Sequence, residues 1–313
     1  MTMQVDLKIK DLQAEILKLK EKEDFVILAH NYQRPEVQEI ADYVADSLQL
    51  AKFAQKSATS NNILFAAVYF MAEGGPIFNP TKKTYIANYE ALCPMARMAP
   101  VSLIREAKEK HPDIPIMMYI NTTAAARAEA DYICTSANSL KVAKAIGKDE
   151  IFFAPDQNLG YYIQNNLKIK LNIIPENGCC IVHHRFNAEY IKNLKREHPS
   201  AIALAHPECR PEVQEIVDFI GSTSQMEKYA MESDEKEFII ATEIGLIDKL
   251  KMKTTGKTFY QGGKNPICVN MKKNTLESIK FVMEKQPKEF LVTVPDNIIE
   301  KNKKLLEEMI KNS

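Results

Sequence analysis

Short apolar runs alternate with helical segments along the whole chain. A helical pattern precedes the apolar run FVILAHNY at 25–32, and a polar turn, a further helix, a short strand ending in Ser or Thr, another helix and a second apolar run follow it. Continuous apolar runs of this length are typical of parallel strands that helices cover on both faces. The pattern predicts an α/β protein built from α/β/α layers with parallel sheets.

This succession of elements recurs with a period of about 88 residues. The heptapeptide RPEVQEI occurs at 34–40 and again at 210–216, inside the longer matching stretches HNYQRPEVQEIADYVADS and HPECRPEVQEIVDFIGST. A third copy lies halfway between them, so that three stretches align: ADYVADS (41–47), ADYICTS (130–136) and VDFIGST (217–223). The apolar runs NILFAAVYF, EIFFAPD and EFIIATE keep the same period. The chain is therefore predicted to contain three homologous copies.

Each copy is longer than a solenoid repeat and is predicted to be a small domain in its own right. The predicted domains span 1–94, 95–181 and 182–270. The tail at 271–313 resembles the opening third of a fourth copy, and we expect it to pack on the first domain. Copies of equal length favour a pseudo-threefold arrangement with the active site at the central interface.

Polar residues follow the first apolar run of every copy. Because ligands bind at the carboxyl ends of parallel strands, these residues are candidates for a binding site. They are His30, Asn31 and Tyr32 in the first copy, Tyr119 and Asn121 in the second, and His206 and Glu208 in the third. The pair His206 and Glu208 suits general acid and base chemistry. Tyr32 and Tyr119 are equally compatible with a place in the core, and RPEVQEI itself is predicted to be helix surface that orients its neighbours.

Three hydroxyl residues occupy one equivalent position, just before a helical pattern. They are Ser47, Ser136 and Thr223. Their hydroxyls and the amides of the following helix can receive a carboxylate or phosphate. The alternative is that each hydroxyl only caps its own helix.

Three of the six cysteines share the period of the copies. Cys93, Cys180 and Cys268 are separated by 87 and 88 residues, whereas Cys134 and Cys209 each occur in one copy only and are interpreted as core residues. Three convergent thiolates can hold zinc or an iron–sulfur cluster, and three ligands without a fourth are typical of a catalytic metal with an open position. The period favours Cys180 over the adjacent Cys179 by a single residue.

Composition narrows the class of partner. The 41 basic and 41 acidic side chains give no net charge, which favours small-molecule ligands and argues against nucleic acid or an anionic membrane. The chain shows neither a secretion signal nor an apolar stretch long enough to span a bilayer, so we expect a soluble cytoplasmic protein. Nucleotide-binding motifs of the G-x-G-x-x-G and Walker types are absent.

Several stretches together resemble the quinolinate synthase family of NAD biosynthesis. They are ILAHNYQRPEVQEIADYVADSLQLA, FMAE, CPMA, MYINTTA, CTSAN, PDQNLG, PENGCCIVHH, HPEC, GSTSQM, TEIGLI and CVNMKKNTL, in that order along the chain. The resemblance implies an enzyme that condenses iminoaspartate, supplied by an aspartate-oxidising enzyme, with dihydroxyacetone phosphate to give quinolinate, phosphate and water.

The same resemblance implies one [4Fe-4S] cluster held by Cys93, Cys180 and Cys268, whose open iron acts as a Lewis acid on the substrate. It implies a substrate pocket lined by His30, Ser47, Tyr119, Asn121, Ser136, His183, His206, Pro207, Glu208 and Thr223. Tyr32, His206 and Glu208 are the predicted catalytic residues, with Tyr32 and Glu208 transferring protons. His183 is expected to assist with phosphate or carboxylate.

Two other hypotheses share the three-cysteine site. One is a different [4Fe-4S] hydro-lyase that acts on a small dicarboxylate. The other is a cluster-binding sensor without catalytic activity, which predicts no turnover and a surface for a partner.

Overall fold

The structure is a computed structural model that describes residues 2–56 and 60–312. Within this range the chain forms three separate four-stranded sheets, and every strand pair in them is parallel. The predicted α/β class with three parallel sheets flanked by helices is confirmed.

The first sheet has the order β2-β1-β3-β4. Its strands are β1 (Phe25–His30), β2 (Tyr43–Ala45), β3 (Asn62–Ala66) and β4 (Lys83–Ile86). The helices of this part are α1 (Thr2–Lys22), α2 (Pro35–Gln38), α3 (Ser47–Lys56), α4 (Tyr69–Ala72) and α5 (Gly74–Phe78). Ile27 packs with Ile16 of α1 on one face, while Leu28 packs with Leu50 of α3 on the other. Both faces of the sheet are covered, which is why the strand sequence is continuously apolar.

The second sheet repeats the topology as β6-β5-β7-β8. Its strands are β5 (Ile116–Tyr119), β6 (Tyr132–Cys134), β7 (Glu150–Ala154) and β8 (Lys170–Ile173). The helices are α6 (Val101–Lys110), α7 (Ala124–Arg127), α8 (Ser139–Ile146) and α9 (Gln157–Leu167). Ile104 of α6 packs against Ile116 and Met118 in a fully buried cluster.

The third sheet has the same order once more, β10-β9-β11-β12. Its strands are β9 (Ile202–Ala205), β10 (Phe219–Ile220), β11 (Glu237–Ala241) and β12 (Thr258–Gln261). The helices are α10 (Ala188–Glu197), α11 (Pro211–Gln214), α12 (Thr223–Glu232) and α13 (Gly245–Lys253). Successive residues of β11 alternate between two clusters, since Ile239 packs with Ile191 of α10 and Ile240 packs with Leu246 of α13.

The tail contains α14 (Leu276–Lys285) and α15 (Asp296–Lys311), with a 3₁₀ helix at Lys288–Phe290 between them. Ile279 of α14 joins the cluster of the first sheet, and Leu291 forms an antiparallel bridge with Tyr85 of β4. From residue 302 onward α15 contacts the second copy, because Asn302 Nδ2 donates to Ala124 O at 2.8 Å. The tail is thus divided, although the repeat pattern predicts that all of it packs on the first domain.

The chain separates into two compact units. One comprises Met1–Cys93 with Cys268–Glu300, and the other comprises Pro94–Ile267 with Lys301–Ser313. The second unit therefore contains two of the three sheets. The predicted boundaries 1–94, 95–181 and 182–270 and the pseudo-threefold arrangement stay predictions. Residues 1 and 57–59 of the first predicted domain and residue 313 of the tail lie outside the described residues.

In the described part of the chain, none of the helices combines the length and the apolar character that a bilayer crossing requires.

Candidate active site

A buried carboxylate, Glu208, lies just beyond the carboxyl end of β9 and is 3 % exposed. Its Oε2 is 2.6 Å from His183 Nδ1, and its Oε1 accepts a hydrogen bond from Asn121 Nδ2 at 3.3 Å. The hydroxyl of Tyr119 also hydrogen-bonds to this carboxylate. Side chains from the second and third copies therefore converge on one acidic group, as the strand-end argument predicts for these residues.

The surroundings of Glu208 determine its ionisation. Burial acts to raise its pKa, but the adjacent His206 and His183 and the hydrogen bonds from His183 and Tyr119 outweigh burial and lower the pKa to about 2. Burial and the charge of Glu208 raise the pKa of Tyr119 well above its ordinary value, so this phenol keeps its proton. The site holds a carboxylate that is already ionised at neutral pH, together with a phenol that donates to it.

His206 is held in one tautomer by the loop that carries it. Its Nδ1 accepts a hydrogen bond from the backbone N–H of Glu208 at 3.3 Å, so the ring proton resides on Nε2, which is 3.2 Å from Ser136 Oγ. Burial lowers the pKa of His206 to about 3, which keeps the ring neutral. The first copy repeats this turn, since His30 Nδ1 accepts from the N–H of Tyr32 at 3.2 Å.

The loop after the first strand of each copy is fixed by one side chain from the short helix that follows. In every copy this side chain donates to the two carbonyls that flank a predicted site residue, which is Tyr32, Asn121 or Glu208. The donors and acceptors are Gln38 with the carbonyls of Asn31 and Gln33, Arg127 with those of Ile120 and Thr122, and Gln214 with those of Pro207 and Cys209. We call these three donors the loop clamps.

The loop clamps correct one expectation about RPEVQEI. The predicted helix-surface segment is partly core, because Val37 and Val213 are fully buried and Gln38 and Gln214 are about 5–6 % exposed. Proline at the first helical position starts each short helix, and the turn then directs the glutamine inward. The heptapeptide orients the neighbouring loop, and it does so through the buried side-chain amide of its glutamine.

The loop of Cys180 is tied to the start of α9. Asp156 Oδ1 caps that helix by accepting from the N–H groups of Asn158 and Leu159, and its Oδ2 accepts from the N–H of Cys180 at 2.9 Å. Burial and the nearby Glu208 charge raise the pKa of Asp156 well above its ordinary value. Cys180 Sγ lies 3.2 Å from His183 Nδ1.

The segment after Cys268 is tied to two other loops of its own unit. Lys272 Nζ donates to Tyr32 O at 2.6 Å, and Arg34 Nε donates to Lys272 O at 3.2 Å. Lys273 O accepts from Asn88 Nδ2 at 3.2 Å. The predicted catalytic residue Tyr32 therefore shares a bonded network with the segments that bear Cys268 and Cys93.

The three periodic cysteines occupy equivalent places. Each lies between the last strand of its copy and a 3₁₀ helix, and these helices are Met95–Arg97, His183–Arg185 and Met271–Lys273. The carbonyl of Cys180 accepts from His184 N at 2.8 Å, and that of Cys268 accepts from Lys272 N at 3.1 Å, which identifies Cys180 rather than Cys179 as the counterpart of Cys268.

Burial separates these cysteines from two others. Cys93, Cys180 and Cys268 are half-buried, and so is Cys179. Cys134 and Cys209 are fully buried, and burial raises the pKa of both thiols. A raised pKa makes the thiolate form less available, so Cys93, Cys180 and Cys268 fit a role as thiolate ligands better than Cys134 and Cys209 do.

The three hydroxyl residues do not share one structural role. Ser47 and Thr223 are the first residues of α3 and α12, and Ser222 rather than Thr223 caps α12. Ser136 lies ahead of α8 and faces His206. The helix-capping alternative therefore does not hold for Ser136.

Sequence reasoning missed several residues that support this site. They are Asp156, Asn158, Thr242 and the loop clamps Gln38, Arg127 and Gln214. Thr242 Oγ1 is 2.8 Å from His183 Nε2, and Asn158 Nδ2 donates to Glu208 O at 3.0 Å. The available signal for the clamps was positional, since Gln38, Arg127 and Gln214 stand at the same place in the three copies.

Comparisons with known proteins show which family the chain is similar to. The sequence model of the quinolinate synthetase A protein family matches residues 14–311. A quinolinate synthase of Thermotoga maritima is 46% identical over 290 residues, which cover 93% of this chain and 96% of that protein. Quinolinate synthases of Caldicellulosiruptor saccharolyticus and Methanothermobacter thermautotrophicus are each 42% identical over 305 residues, covering 97% of this chain and 99% of theirs.

The parallel sheets, the buried carboxylate and imidazole at a strand end and the half-buried thiol of the neighbouring loop define an α/β enzyme that acts on small molecules. With the family match over nearly the whole chain, the chain belongs to the quinolinate synthase family.

Proposed function

We propose that this enzyme condenses iminoaspartate with dihydroxyacetone phosphate to form quinolinate, with release of phosphate and water. The observation that carries the proposal is the Glu208 site, where a buried ionised carboxylate is surrounded by His183, Asn121 and Tyr119. Forming a ring from two small molecules requires groups that remove and return protons within an enclosed site. Family membership supplies the class of reaction.

We also propose that Cys93, Cys180 and Cys268 hold one [4Fe-4S] cluster. Three half-buried thiols in equivalent loops are a suitable donor set for such a cluster. When bound, the cluster supplies an iron with an open coordination position, which polarises a substrate oxygen as a Lewis acid. The other parts of the proposal concern what the protein's own side chains do.

Glu208 is proposed to take protons from the substrates. Its enclosed carboxylate is ionised, and because its pKa is lowered it acts on substrate protons that are themselves acidic. The hydroxyl of Tyr32 is proposed as the second proton-transfer group. His206, neutral and with its proton on Nε2, donates a hydrogen bond and orients the reacting molecule.

Asn121 offers a specific point of substrate recognition. Its Nδ2 is used by Glu208, while its buried Oδ1 has no hydrogen-bond partner within the described structure. A buried acceptor without a hydrogen-bond donor destabilises the folded protein by about 1–3 kcal/mol. A substrate N–H or O–H group that donates to Asn121 Oδ1 would recover this free energy on binding. The proposed substrate-binding residues are His30, Ser47, Tyr119, Asn121, Ser136, His183, His206, Pro207, Glu208 and Thr223.

The proposed cellular setting follows from the reaction. Iminoaspartate comes from an aspartate-oxidising enzyme, and the partners are small molecules rather than nucleic acid or membrane. We propose the cytoplasm as the site of action.

The test is an anaerobic assay with both substrates and direct detection of quinolinate. Wild-type protein is expected to bind about four irons per chain, to absorb broadly in the visible range and to form quinolinate. Cys180→Ser is expected to lose the absorption band and the activity. Cys179→Ser is the matched control, because the neighbouring thiol lies outside the periodic set, and it should keep both.

Two results would contradict these proposals. Absence of quinolinate from the iron-loaded enzyme would refute the reaction and would leave the hydro-lyase and sensor hypotheses. Full iron binding by Cys180→Ser would refute the ligand assignment.

A further inference from the structure

Three potential metal ligands of different chemistry meet in the second unit, and one of them is the proposed cluster ligand Cys180. Among the described residues, Cys180, His183 and Glu208 each offer one ligand atom, and these three atoms all lie within 4.8 Å of one another. His183 Nδ1 is the central atom, 3.2 Å from the sulfur and 2.6 Å from the carboxylate oxygen. His183 and Glu208 are 1 % and 3 % exposed, so two of the three ligands are already withdrawn from water.

This set of donor atoms suits Zn²⁺. Thiolate, imidazole and carboxylate together are ligands that zinc accepts in tetrahedral sites, with bonds of about 2.0–2.3 Å. Ligand atoms of such a site lie about 3.3–3.7 Å apart, as follows from those bond lengths and the tetrahedral angle. Both separations are shorter than that spacing, so the sulfur–nitrogen distance of 3.2 Å and the nitrogen–oxygen distance of 2.6 Å each need to open by less than about 1 Å.

The outer contacts of the three ligands are also those of a metal site. Thr242 Oγ1 lies 2.8 Å from His183 Nε2, Asn121 donates to the second oxygen of Glu208, and Asp156 holds the N–H of Cys180. Partners of this kind orient metal ligands and fix the tautomer of a ligating histidine. All three outer contacts are formed in the structure, although Asn121, Asp156 and Thr242 are far apart in the sequence.

A proton occupies the central position when no cation is bound. The short distance between His183 Nδ1 and Glu208 Oε2 is that of an N–H donor and a carboxylate. A cation that enters takes the Nδ1 lone pair, the ring proton then lies on Nε2, and Thr242 accepts it. The thiol proton of Cys180 leaves to solvent, so the protons balance.

We propose that cluster-free protein binds one divalent cation such as Zn²⁺ through Cys180, His183 and Glu208, with the fourth position open to water. Because Cys180 is shared, the cation-bound and cluster-loaded states exclude each other. This exclusion rests on the proposed function, since it requires Cys180 to be a cluster ligand. The cation site itself does not.

Co²⁺ is the probe that tests the site, because a cobalt–thiolate bond gives a charge-transfer band. Cluster-free wild-type protein, titrated anaerobically, is expected to bind about one Co²⁺ with such a band, and Zn²⁺ should abolish the band by displacement. Cys180→Ser should remove the band. His183→Asn and Glu208→Gln should each weaken binding at least 10-fold, and Thr242→Val should weaken it roughly 10-fold through the outer contact alone.

Cys93→Ser is the control that separates this site from the proposed cluster ligands. It should retain the full band and affinity, since Cys93 takes no part in the cation site. Loss of the band in Cys93→Ser to the same degree as in Cys180→Ser would overturn the proposal, and so would a wild-type protein without the band. Circular dichroism melting of every variant shows that the fold is kept.

A separate experiment tests whether a bound cation prevents cluster assembly. Zn²⁺-loaded wild-type protein should regain its visible cluster absorption at least 10-fold more slowly than metal-free protein when iron and sulfide are supplied. An equal rate would overturn the exclusion. Quinolinate formation by protein reconstituted without zinc tests the proposed function on its own, so the two failures are distinguishable.

Discussion

Gly178 shows how one residue sets the path of the Cys180 loop. A Cβ built at this position would lie 1.9 Å from the backbone oxygen of Pro155. The neighbouring backbone also holds the loop, because Gln157 N donates to the Gly178 carbonyl at 2.8 Å. Since the obstacle is a backbone atom of an ordered loop, any side chain here must displace the segment that carries Cys180.

Gly178→Ala is therefore expected to lower the free energy of unfolding by roughly 1–3 kcal/mol and to reduce bound iron after reconstitution. Urea unfolding and iron analysis are the measurements. Gly74→Ala is the matched control, because a Cβ at Gly74 has no atom within 4 Å, and its unfolding free energy should change by less than about 1 kcal/mol. Equal behaviour of the two variants would show that the close approach at Gly178 has no consequence.

At the scale of single elements, the loop clamps explain why short helices recur beside the site. A four-residue helix has little stability of its own, so tertiary contacts must hold it. Gln214 of α11 supplies those contacts by donating to the carbonyls of Pro207, Cys209 and Asn158. One amide thus joins three segments around Glu208.

Gln214→Leu is expected to destabilise the protein by about 3 kcal/mol, because buried carbonyls lose their donor. It should also lower kcat by roughly 10- to 100-fold, since Glu208 shifts relative to the substrate. Denaturant unfolding and the quinolinate assay report the two effects. Glu212→Ala, an exposed change on the same helix, should alter neither, and an equal loss of kcat in both variants would exclude a positioning role for Gln214.

Arg127 shows that a loop clamp can differ in residue type and still make the same pattern of hydrogen bonds. Two copies use glutamine, whereas the second uses an arginine that is 1 % exposed. Nη1 of the guanidinium donates to the two carbonyls equivalent to those that the glutamines use in the other copies. Its Nε also donates to Asn302 Oδ1 at 3.2 Å. The Arg127 side chain is therefore hydrogen-bonded to α15, a contact that the glutamines do not make.

At the scale of the whole molecule, the tail adds a contact that no copy supplies alone. Asn302 accepts from Arg127 and donates to Ala124 O, and Asn138 Nδ2 donates to Met309 O at 3.0 Å. The tail therefore stabilises the loop of Asn121 from outside the second copy.

Asn302→Ala is expected to cost about 2 kcal/mol of unfolding free energy, because the buried guanidinium of Arg127 loses an acceptor. Thermal melting and denaturant unfolding are the measurements. Lys303→Ala, at the exposed neighbouring position, should stay within about 0.5 kcal/mol of wild type. A melting temperature unchanged by Asn302→Ala would show that the tail contact contributes nothing to stability.

The three sheets, their strand ends and the place of Cys134 and Cys209 in the core were predictable from the linear sequence. Duplication preserves spacing, and strands buried on both faces must be apolar throughout, so both signals are local or periodic. The residues that converge on Glu208 were predictable as strand-end groups but not as its partners.

What the sequence by itself determined is the repeated α/β plan and the position of reactive residues within it, because each copy carries the same order of apolar runs and turns. Only the tertiary structure decided that Asn121 and His183 bond to Glu208, that Thr242 contacts His183, that Arg127 donates to the loop carbonyls as the glutamines do, and that the tail divides within α15. Those outcomes depend on distances between segments far apart in the chain and on burial, which sets hydrogen-bond partners and the pKa of Glu208. Neither quantity is written in the spacing of residues along the sequence.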